Sequence, residues 1–441
     1  MFFSSWSNTV DTHISLLEKA QCGIFLLPTT KSPVPQAILK KRSMRVIDLP
    51  ELEGWLHDSD VAVYEYKRSY EDACHDPFAV LHSSGTTGLP KLLTLAHGSL
   101  NPHDSYQLLP SLGSSICHTL YWRGKRVFTN FPWFHGAGLY FLHEGIVNDF
   151  VPVVMPEASI NAEVTNAVHL YGGVQSSLLT PSLLVQISKN PEYLENMCKL
   201  EFVVYAGGPL NQDCAKKISA KTILTTTLGA TECGMLPTEF TGEPGDWQYL
   251  KYATELGHKF SYFEEDLYEL VIVRKKELEP FQGIFFTFPD LHEYPMRDLY
   301  VQHPTRKGWW RHCGRKDDVL VFDDARKLNP VVMEAIIETH PLITTAIICG
   351  HGRSRPALLI DPALHSETTE QKDIFLDAIW PNVLKAMEDG PPAGKLINKE
   401  LVVLTSPEKP IPRTSGKGTI LRKQAVKLYQ EELDKVYKYY N

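Results

Sequence analysis

The sequence predicts an α/β protein with a large N-terminal domain of helix-flanked sheets and a small α+β C-terminal domain. Between residues 78 and 230, short apolar runs such as FAVLHSS and EFVVYAGG alternate with longer amphipathic segments. This alternation is typical of a parallel or mixed sheet flanked by helices. Beyond residue 315 a new series of elements begins with the strand VLVF and the helix PVVMEAIIETH. The length of 441 residues, of which 43% are hydrophobic, suits two or three domains.

The remaining elements follow in order. In the large domain the further predicted strands are RVFTNF, VPVVMP, SSLLTP and TILTTT, and SLLVQISKN and QDCAKKISA are predicted helices. In the small domain the strands TTAIICG and PALLIDP are followed by helices near residues 368–390 and 419–437. Ligands of α/β sheets bind at the carboxyl ends of the strands. Because the turns SSGTT and AGG each follow an apolar run, the sequence predicts a ligand site at that edge.

The composition argues against several classes of function. The formal net charge is -8 and the basic residues are scattered, whereas a nucleic-acid partner requires a basic patch. No run of about 18 apolar residues could span a membrane. The N-terminus lacks the regions of a signal peptide, so a cytoplasmic location is expected. The eight cysteines show no CxxC spacing, so neither a zinc site nor a disulfide framework is expected.

The stretch LHSSGTTGLPK at residues 81–91 has the composition of a phosphate-binding loop. Exposed backbone N–H groups, hydroxyl side chains and a lysine can surround a polyphosphate. The spacing differs from GxxxxGK[ST], because Pro90 precedes Lys91 and no Ser or Thr follows the lysine. No kinase signature follows either. Taken alone, the stretch fits an ordinary turn equally well, so other segments must decide.

Seven segments occur in one order along the chain. They are SSGTTGLPK, FPWFHGAGLYF, YAGGPL, LGATECG, RDLY, GRKDDVLV and PRTSGKGTILR. In type and order they resemble the signature segments of the adenylate-forming (AMP-binding) superfamily, over about residues 8–433. The chain resembles in particular the adenylation domains of fungal nonribosomal-peptide-synthetase-like proteins and carboxylic acid reductases. The resemblance implies an acyl-CoA synthetase-like fold, with a large adenylation domain over residues 1–316 and a small mobile lid domain over residues 317–441.

The resemblance implies that the chain binds ATP and Mg²⁺. The loop over the β- and γ-phosphates would comprise Ser83, Ser84, Gly85, Thr86, Thr87, Gly88 and Lys91. Glu232 corresponds to the carboxylate that holds Mg²⁺, a cation that prefers oxygen ligands. Thr231 corresponds to a contact of the α-phosphate. Without the resemblance, the Thr-Glu pair would indicate a helix start.

Three residues correspond to family positions at the ribose and at the domain boundary. Asp298 aligns with the carboxylate that accepts hydrogen bonds from both ribose hydroxyls. Arg315 aligns with a contact of the phosphate or ribose. Asp317 corresponds to the hinge about which the small domain turns, since short boundary segments absorb such rotations, although Asp-Asp also favours a simple turn.

Further residues correspond to positions around the adenine and the reacting groups. In the family, the lysine equivalent to Lys417 reaches from the small domain to bridge the carboxylate and the α-phosphate; composition alone would make it a solvated lysine. His135 matches a position near the acyl pocket, where it either gates the channel or only packs. The residues assigned to the adenine and acyl surroundings are Gly207, Gly208, Leu228 and Gly229.

The chain departs from the family pattern at four points. Relatives usually stack an aromatic residue on adenine where this chain has Leu228, so apolar packing would replace stacking. Relatives commonly carry glycine in place of Ala325, in the loop that lines the thiol tunnel. The segment before Asp298 is PMR instead of the Thr-Gly type. Family members also carry more chain before the phosphate loop, so an N-terminally shortened chain with an incomplete first subdomain is expected.

The resemblance implies ATP-dependent activation of an aryl or aliphatic carboxylic acid to an acyl-adenylate, with release of pyrophosphate. Amino acids are disfavoured, because FPWFHGAGLYF contains no aspartate to hold an amino group. The acceptor of the acyl group is left open between CoA and the phosphopantetheine thiol of a separate acyl-carrier protein. The alternative is a catalytically impaired homologue that binds nucleotide or acyl group and lost turnover with its N-terminal segment.

Overall fold

The computed structural model describes most of the chain and has the mixed α/β architecture that the sequence predicts. The described residues are 1–5, 8–29, 32–56, 62–83, 91–114, 116–154, 161–240, 242–243, 245–365, 368–413 and 419–440. A parallel sheet, an antiparallel sheet and a C-terminal sheet follow one another along these residues.

The first elements are short and include one parallel pair of strands. In order they are α1 Val10–Lys19, β1 Ile24–Leu27, α2 Val34–Lys41, β2 Arg45–Asp48, α3 Leu52–Trp55 and α4 Tyr70–Ala73. Strands β1 and β2 are parallel, with Ile24 opposite Arg45. The hydroxyl of Thr9 accepts a hydrogen bond from the backbone N–H of Thr12 at 3.2 Å, which satisfies one of the free donors at the start of α1.

The next two strands form an antiparallel hairpin. They are β3 Pro77–Ser83 and β4 Lys91–Ala96. FAVLHSS is therefore a strand, as predicted, but it lies outside the parallel sheet because it pairs with the segment that returns from the glycine-rich stretch. Ser83 stands opposite Lys91, so the predicted phosphate loop joins the two strands at this end. Leu81 and Leu95 are buried against Tyr140, which anchors the hairpin to the rest of the large domain.

Five parallel strands form the central sheet, in the order β6-β5-β7-β8-β9. They are β5 Arg126–Thr129, β6 Val151–Val153, β7 Ser176–Leu179, β8 Phe202–Tyr205 and β9 Ile223–Thr226. The accompanying helices are α5 Asn101–Ser105, α6 His118–Tyr121, α7 Gly136–Val147, α8 Ala162–Tyr171, α9 Pro181–Ser188, α10 Pro191–Met197 and α11 Gln212–Ser219. All residues of β7 and β8 are buried, as expected for parallel strands covered on both faces. The alternating pattern in the sequence predicts these elements correctly.

An antiparallel sheet of five strands follows, in the order β12-β16-β15-β14-β13. A small hairpin precedes it, and in chain order the elements are β10 Gly229–Ala230, β11 Gly234–Met235, β12 Tyr249–Leu250, β13 His258–Glu264, β14 Leu267–Val273, α12 Ile284–Thr287, β15 Glu293–Gln302 and β16 Trp310–Arg315. Across the sheet the rings of Phe260 and Trp310 stack with centroids 3.7 Å apart. Because β13 and β16 are not neighbours in the sheet, this pair packs over one face of it and contributes to the apolar core there.

The C-terminal elements form a three-stranded sheet packed with helices. In order they are β17 Leu320–Val321, β18 Lys327–Leu328, α13 Val331–Ile337, β19 Ile343–Cys349, β20 Ala357–Pro362, α14 Thr369–Asp389, β21 Val402–Leu404, α15 Arg422–Leu428 and α16 Gln430–Tyr440. One core packs α13 and α14 on the sheet, and a second packs α15 and α16 on it. This agrees with the α+β arrangement that the sequence predicts beyond residue 315.

Ala325 occupies a backbone conformation that favours glycine. Its φ is 65°, in the left-handed region that costs residues with a Cβ about 1–2 kcal/mol. We expect Ala325→Gly to stabilise the fold by about 0.5–1 kcal/mol, because glycine's greater freedom in the unfolded chain offsets part of the relief. Urea unfolding measures the change. The matched variant Ala378→Gly, at an exposed position inside α14, should instead destabilise by about 1 kcal/mol; destabilisation at both positions would contradict the prediction.

Three further findings bear on the expectations from composition. No helix among the described residues is both long and apolar enough to cross a membrane. The same part of the chain contains no group of three or more His, Cys, Asp or Glu side chains arranged to hold a metal ion. All eight cysteines are free, and six of them are buried.

Candidate active site

Thr231 and Glu232 lie at the tip of the tight hairpin formed by β10 and β11. Ala230 pairs with Gly234 across a three-residue tip. Gly234, the first residue after the tip, has a left-handed backbone with a φ of 73°, a conformation that glycine adopts readily. A Cβ at Gly229 would lie 2.4 Å from the carbonyl oxygen of Gly234, so the close approach of the two strands requires glycine. Thr231 and Glu232 therefore do not begin a helix, as the pair alone would indicate. They lie in a hairpin whose close strands require glycine.

The N-terminus of α7 abuts this hairpin tip. His135 caps the helix, and its Nδ1 accepts a hydrogen bond from the backbone N–H of Ala137 at 3.2 Å. A Cβ at Gly136 would lie only 3.1 Å from the Cα of Thr231. The hydroxyl of Tyr140 donates to the carbonyl oxygen of Thr231 at 3.3 Å. The fold therefore brings together His135 and Thr231, which come from separate sequence segments.

Glu232 lies on the hairpin tip next to Cys233. Its backbone carbonyl accepts a hydrogen bond from the hydroxyl of Thr287 at 2.9 Å, and its side chain is half-buried. Burial raises the pKa of the adjacent Cys233 thiol, and the carboxylates of Glu232 and Asp298 both raise it further. The two residues predicted to bind Mg²⁺ and ribose thus both raise the pKa of the same thiol.

Asp298 lies where β15 departs from regular pairing with both neighbouring strands. The register with β14 shifts between Pro295 and Leu299, and the register with β16 shifts between Asp298 and Tyr300. Arg297 has a φ of 62°, uncommon for a residue other than glycine. Such bulges redirect side chains and are frequent beside active sites. Asp298 is only 7% exposed, so it is not the surface aspartate that its sequence context alone would suggest.

Arg315 and Asp317 lie together at the end of β16. Nη2 of Arg315 is 3.6 Å from Oδ2 of Asp317, and Nη1 of Arg297 donates to Oδ1 of Asp317 at 3.2 Å. Between them in sequence, Lys316 pairs with Glu269 of β14 at 2.8 Å. Charge pairs thus surround the boundary between the antiparallel sheet and the C-terminal elements.

Tyr294 connects these charged groups with the hairpin tip. Burial raises the pKa of its phenol, the Glu232 carboxylate raises it further, and the cations of Arg315 and Arg297 act in the opposite direction. Its ring stacks on that of Phe288, with centroids 5.5 Å apart and planes 11° apart. Glu232 and Arg315 therefore influence the same side chain, although they are separated by more than 80 residues of sequence.

Glycine at the carboxyl end of β8 opens space beside an apolar surface. Gly207 has a φ of 94°, and a Cβ at Gly208 would meet no atom within 4 Å. On the neighbouring segment Leu228 is half-buried and packs at the edge of the antiparallel-sheet core, as do Phe288 and Tyr294. Gly207, Gly208 and Leu228 follow the carboxyl ends of β8 and β9, the edge at which the sequence predicts a ligand.

Part of the predicted site lies outside the described residues. These predicted positions are Ser84, Gly85, Thr86, Thr87, Gly88 and Lys417. Their flanks are described: Lys91 is exposed at the start of β4, and Arg413 bridges Ile420 on either side of the lysine segment. The backbone N–H of Leu421 also donates to the carbonyl of Pro412 at 2.9 Å, so the two sides of that segment are held together at its base.

Comparison with protein families identifies the chain. The sequence model of the AMP-binding enzyme family matches residues 10–256, more than half of the chain. The chain belongs to the AMP-binding enzyme family. A second model, for the C-terminal domain of AMP-binding enzymes, matches residues 317–441. The resemblance predicted from the seven segments is confirmed.

Known proteins are similar to this AMP-binding enzyme over nearly its whole length. The carboxylic acid reductase of Neurospora crassa is 32% identical over 99% of this chain and 42% of its own. The isocyanide synthase–NRPS hybrid crmA of Aspergillus fumigatus is 30% identical over 99% of this chain and 28% of its own. The chain thus spans less than half the length of these curated relatives. The anthranilate CoA ligase AuaEII, solved with anthranoyl-AMP, superposes with a TM-score of 0.70 at 15% identity, over 96% of this chain and 81% of that one. This similarity confirms the acyl-CoA synthetase-like fold.

The residues of this AMP-binding enzyme fit magnesium and ATP. Among the described residues, no cationic side chain lies within ion-pair distance of the Glu232 carboxylate, so its oxygens remain available to a metal. Protein sites for Mg²⁺ commonly offer one or two carboxylates and leave the other positions to phosphates and water. For ATP, Asp298 offers a buried acceptor, and Gly207 and Gly208 leave room beside an apolar surface.

A buried pair of residues next to the hairpin of β10 and β11 has no signal in the sequence. Nδ1 of His103 lies 2.6 Å from Oε1 of Glu144, and both side chains are fully buried. The His103 ring stacks on Tyr140 at 4.8 Å, and a Cβ at Gly234 would lie 2.1 Å from its Nε2. Burial lowers the pKa of His103 to about 3 and raises that of Glu144 well above its usual value. No sequence signal links two residues that lie 41 positions apart on different helices.

His312 is a second residue for which the sequence gives no signal. Its Nε2 lies 3.0 Å from Oδ1 of Asp298, on the neighbouring strand. The segment RHCGR places this histidine three residues before Arg315, but the contact depends on strand pairing that motifs do not reveal.

Proposed function

We propose that this AMP-binding enzyme activates a small carboxylic acid with ATP. A carboxylate oxygen of the acid attacks the α-phosphorus, the bond from that phosphorus to the bridging oxygen breaks, and pyrophosphate leaves with the bonding electrons. The product is an acyl-adenylate. The observation that carries the proposal is that Thr231 and Glu232 share one hairpin tip whose Cys233 thiol is acted on by both Glu232 and Asp298. Two anionic reactants require alignment and neutralisation more than a protein nucleophile.

In this proposal each described residue binds or orients a reactant. Asp298 accepts the ribose hydroxyls, and Arg315 provides positive charge beside the nucleotide. Thr231 contacts the α-phosphate at the N-terminus of α7, where helix N–H groups favour an anion. Glu232 would hold Mg²⁺, which when bound neutralises phosphate charge.

Residues beside the hairpin tip and after β8 and β9 are proposed to border the acid and the adenine. His135 stands at the entrance to α7, next to Thr231, and borders the acid. Leu228 and the open backbone at Gly208 form an apolar surface for the adenine, with Gly207 and Gly229 shaping the turns. The phosphate loop from Ser83 to Lys91 and Lys417 are the remaining residues of the proposed site. They are assigned by their correspondence with the family.

We further propose that residues 1–316 and 317–441 form two domains that move about Asp317. The acyl group would then pass to a thiol: the sulfur attacks the acyl carbonyl, a thioester forms, and AMP leaves. The candidate acceptors are CoA and the phosphopantetheine of a carrier protein. Ala325 has a left-handed backbone, the conformation that a glycine would adopt in the thiol-tunnel loop that the resemblance implies.

The deciding experiment measures pyrophosphate release by the purified chain with magnesium-ATP and a panel of aryl and fatty acids. Hydroxylamine traps acyl-adenylate as a hydroxamate, which identifies the activated acid directly. Acid-dependent release together with the matching hydroxamate would support the proposal. ATP binding without release for any acid would contradict activation and favour a nucleotide-binding protein. Repeating the assay with CoA tests the thioester step separately.

Glu232→Gln tests the metal role. The substitution keeps the size and the half-buried position but removes the charge, so we expect the Mg²⁺ concentration for half-maximal release to rise about tenfold, the effect typical of a lost metal-site interaction. Glu239→Gln is the matched control, because Glu239 lies on the same segment and pairs with Lys251 at 2.6 Å. Equal magnesium dependence in both variants would contradict the assignment.

A further inference from the structure

His312 is placed to hold the carboxylate of Asp298. Its Nε2 lies 3.0 Å from Oδ1 of Asp298, and the two side chains are 19% and 10% exposed. An ionised carboxylate only accepts hydrogen bonds, so Nε2 is the donor. Among the described residues, no hydrogen bond reaches Oδ2 of Asp298. One oxygen is therefore occupied by the protein, and the other remains for a ligand.

The backbone explains why the histidine faces this carboxylate. Tyr300 pairs with His312 and Asp298 pairs with Arg315, so two steps along β15 correspond to three along β16. In a regular strand, residues three positions apart face opposite sides. The extra residue falls at Gly314, whose φ is 108°, and the resulting bulge turns both His312 and Arg315 toward the face that carries Asp298.

Neighbouring tyrosines fix the orientation of the imidazole. The rings of Tyr300 and His312 meet edge to face, with centroids 5.5 Å apart and planes at 73°. Tyr300 is fully buried, and its hydroxyl lies 2.8 Å from that of Tyr252. The imidazole of His312 thus packs against a buried tyrosine that is itself held by a second tyrosine. Asp298 itself lies in a stretch that departs from the register of both neighbouring strands, so its backbone alone holds the side chain less firmly.

We propose that His312 is a positioning residue that orients Asp298 toward the nucleotide ribose. This inference rests on the proposed function, which assigns ribose to Asp298. His312 does not touch the nucleotide. By occupying Oδ1 it selects one rotamer of the carboxylate and directs Oδ2 to the ribose hydroxyls. Preorganised carboxylates bind more tightly because less side-chain freedom is lost on binding.

The test measures equilibrium binding of magnesium-ATP and of magnesium-2′,3′-dideoxy-ATP, which lacks both ribose hydroxyls. We expect His312→Leu to weaken ATP binding about tenfold, the size of effect expected for one charge-assisted hydrogen bond. Binding of the dideoxy nucleotide should change less than twofold, because the histidine acts only through the ribose. His312→Gln, whose amide can donate from a similar distance, should restore most of the ATP affinity. His292→Leu is the control, an exposed histidine just before β15.

The outcomes separate a positioning role from a structural one. Equal weakening of both nucleotides by His312→Leu would mean general damage to the site and would overturn the proposal, as would unchanged affinity for both. Asp298→Ala distinguishes this failure from that of the proposed function. If Asp298→Ala weakens ATP selectively while His312→Leu does not, only the role of His312 is wrong. If Asp298→Ala also leaves ATP affinity unchanged, the assignment of ribose to Asp298 is itself wrong.

Discussion

Lys417→Ala is expected to lower acid-dependent pyrophosphate release by about 10²–10³-fold, the loss typical of one electrostatic group that acts on the transition state. The affinity for ATP alone should change only a few fold, because the lysine is proposed to bridge the acid and the α-phosphate as charge moves between them. The segment that carries it is tied at its base, where Arg413 bridges Ile420. Steady-state kinetics and nucleotide binding together measure the two effects.

Lys423→Ala is the matched control for this variant. Lys423 is exposed on α15, only a few residues further along the chain, so its removal changes the net charge of the same segment without reaching the proposed site. Its turnover should remain within about twofold of the parent, as expected of a surface substitution. Similar losses in both variants would mean that local charge or folding is responsible and that Lys417 has no special role.

The chain is expected to lose stability steeply as the pH falls below neutral. Burial lowers the pKa of five histidines, to about 3 or 4, and these are His103, His118, His143, His169 and His258. In the unfolded chain each would titrate near 6.5. Between that value and the folded pKa the unfolded state binds more protons, so stability is present above pH 6.5 and falls as the pH decreases.

The expected slope is large. Each histidine held neutral costs about 1.4 kcal/mol of stability per pH unit below 6.5, so the five together should lower the unfolding temperature by about 5–10 °C between pH 7 and pH 5.5. Glu144 changes stability in the opposite sense, because its raised pKa favours folding at low pH. Thermal unfolding at constant ionic strength across this range is the measurement. His169→Gln should flatten the slope, and a profile that is level in the parent would contradict the prediction.

The sequence predicts the parts of this protein whose signal is local. Strands such as FVVY of β8 are continuous apolar runs, because parallel strands are buried on both faces, and the helices between them are amphipathic. The glycines of LGATECG are explained by the hairpin that they form, although the pattern does not reveal the hairpin. The sequence also does not predict the antiparallel pairing of β3 with β4. An apolar strand before a glycine-rich turn occurs in both parallel and antiparallel sheets.

Contacts between distant segments were beyond the reach of sequence reasoning. His103 and Glu144 meet because α5 and α7 pack together, and His312 meets Asp298 because a bulge in β16 alters which side chains share a face. Neither contact produces a recognisable residue spacing in the sequence. Departures from the family pattern were visible, however, and the structure gives two of them a common meaning. Arg297 and Ala325, which lie in two of the segments where the resemblance leads us to expect glycine, both have a left-handed backbone.

The charge pairs around Asp317 differ in kind from those inside the C-terminal elements. Arg297 and Arg315 are 58% and 50% exposed, and surface pairs of this type contribute about 0–1 kcal/mol each. Arg422, by contrast, contacts both carboxylate oxygens of Glu334 at 2.6 and 2.5 Å and is only 16% exposed. Water can replace the first set at little cost, whereas breaking the second would leave a buried charge. The proposed rotation about Asp317 would therefore meet little electrostatic resistance at the boundary, and the Arg422–Glu334 pair would stay intact inside the C-terminal elements.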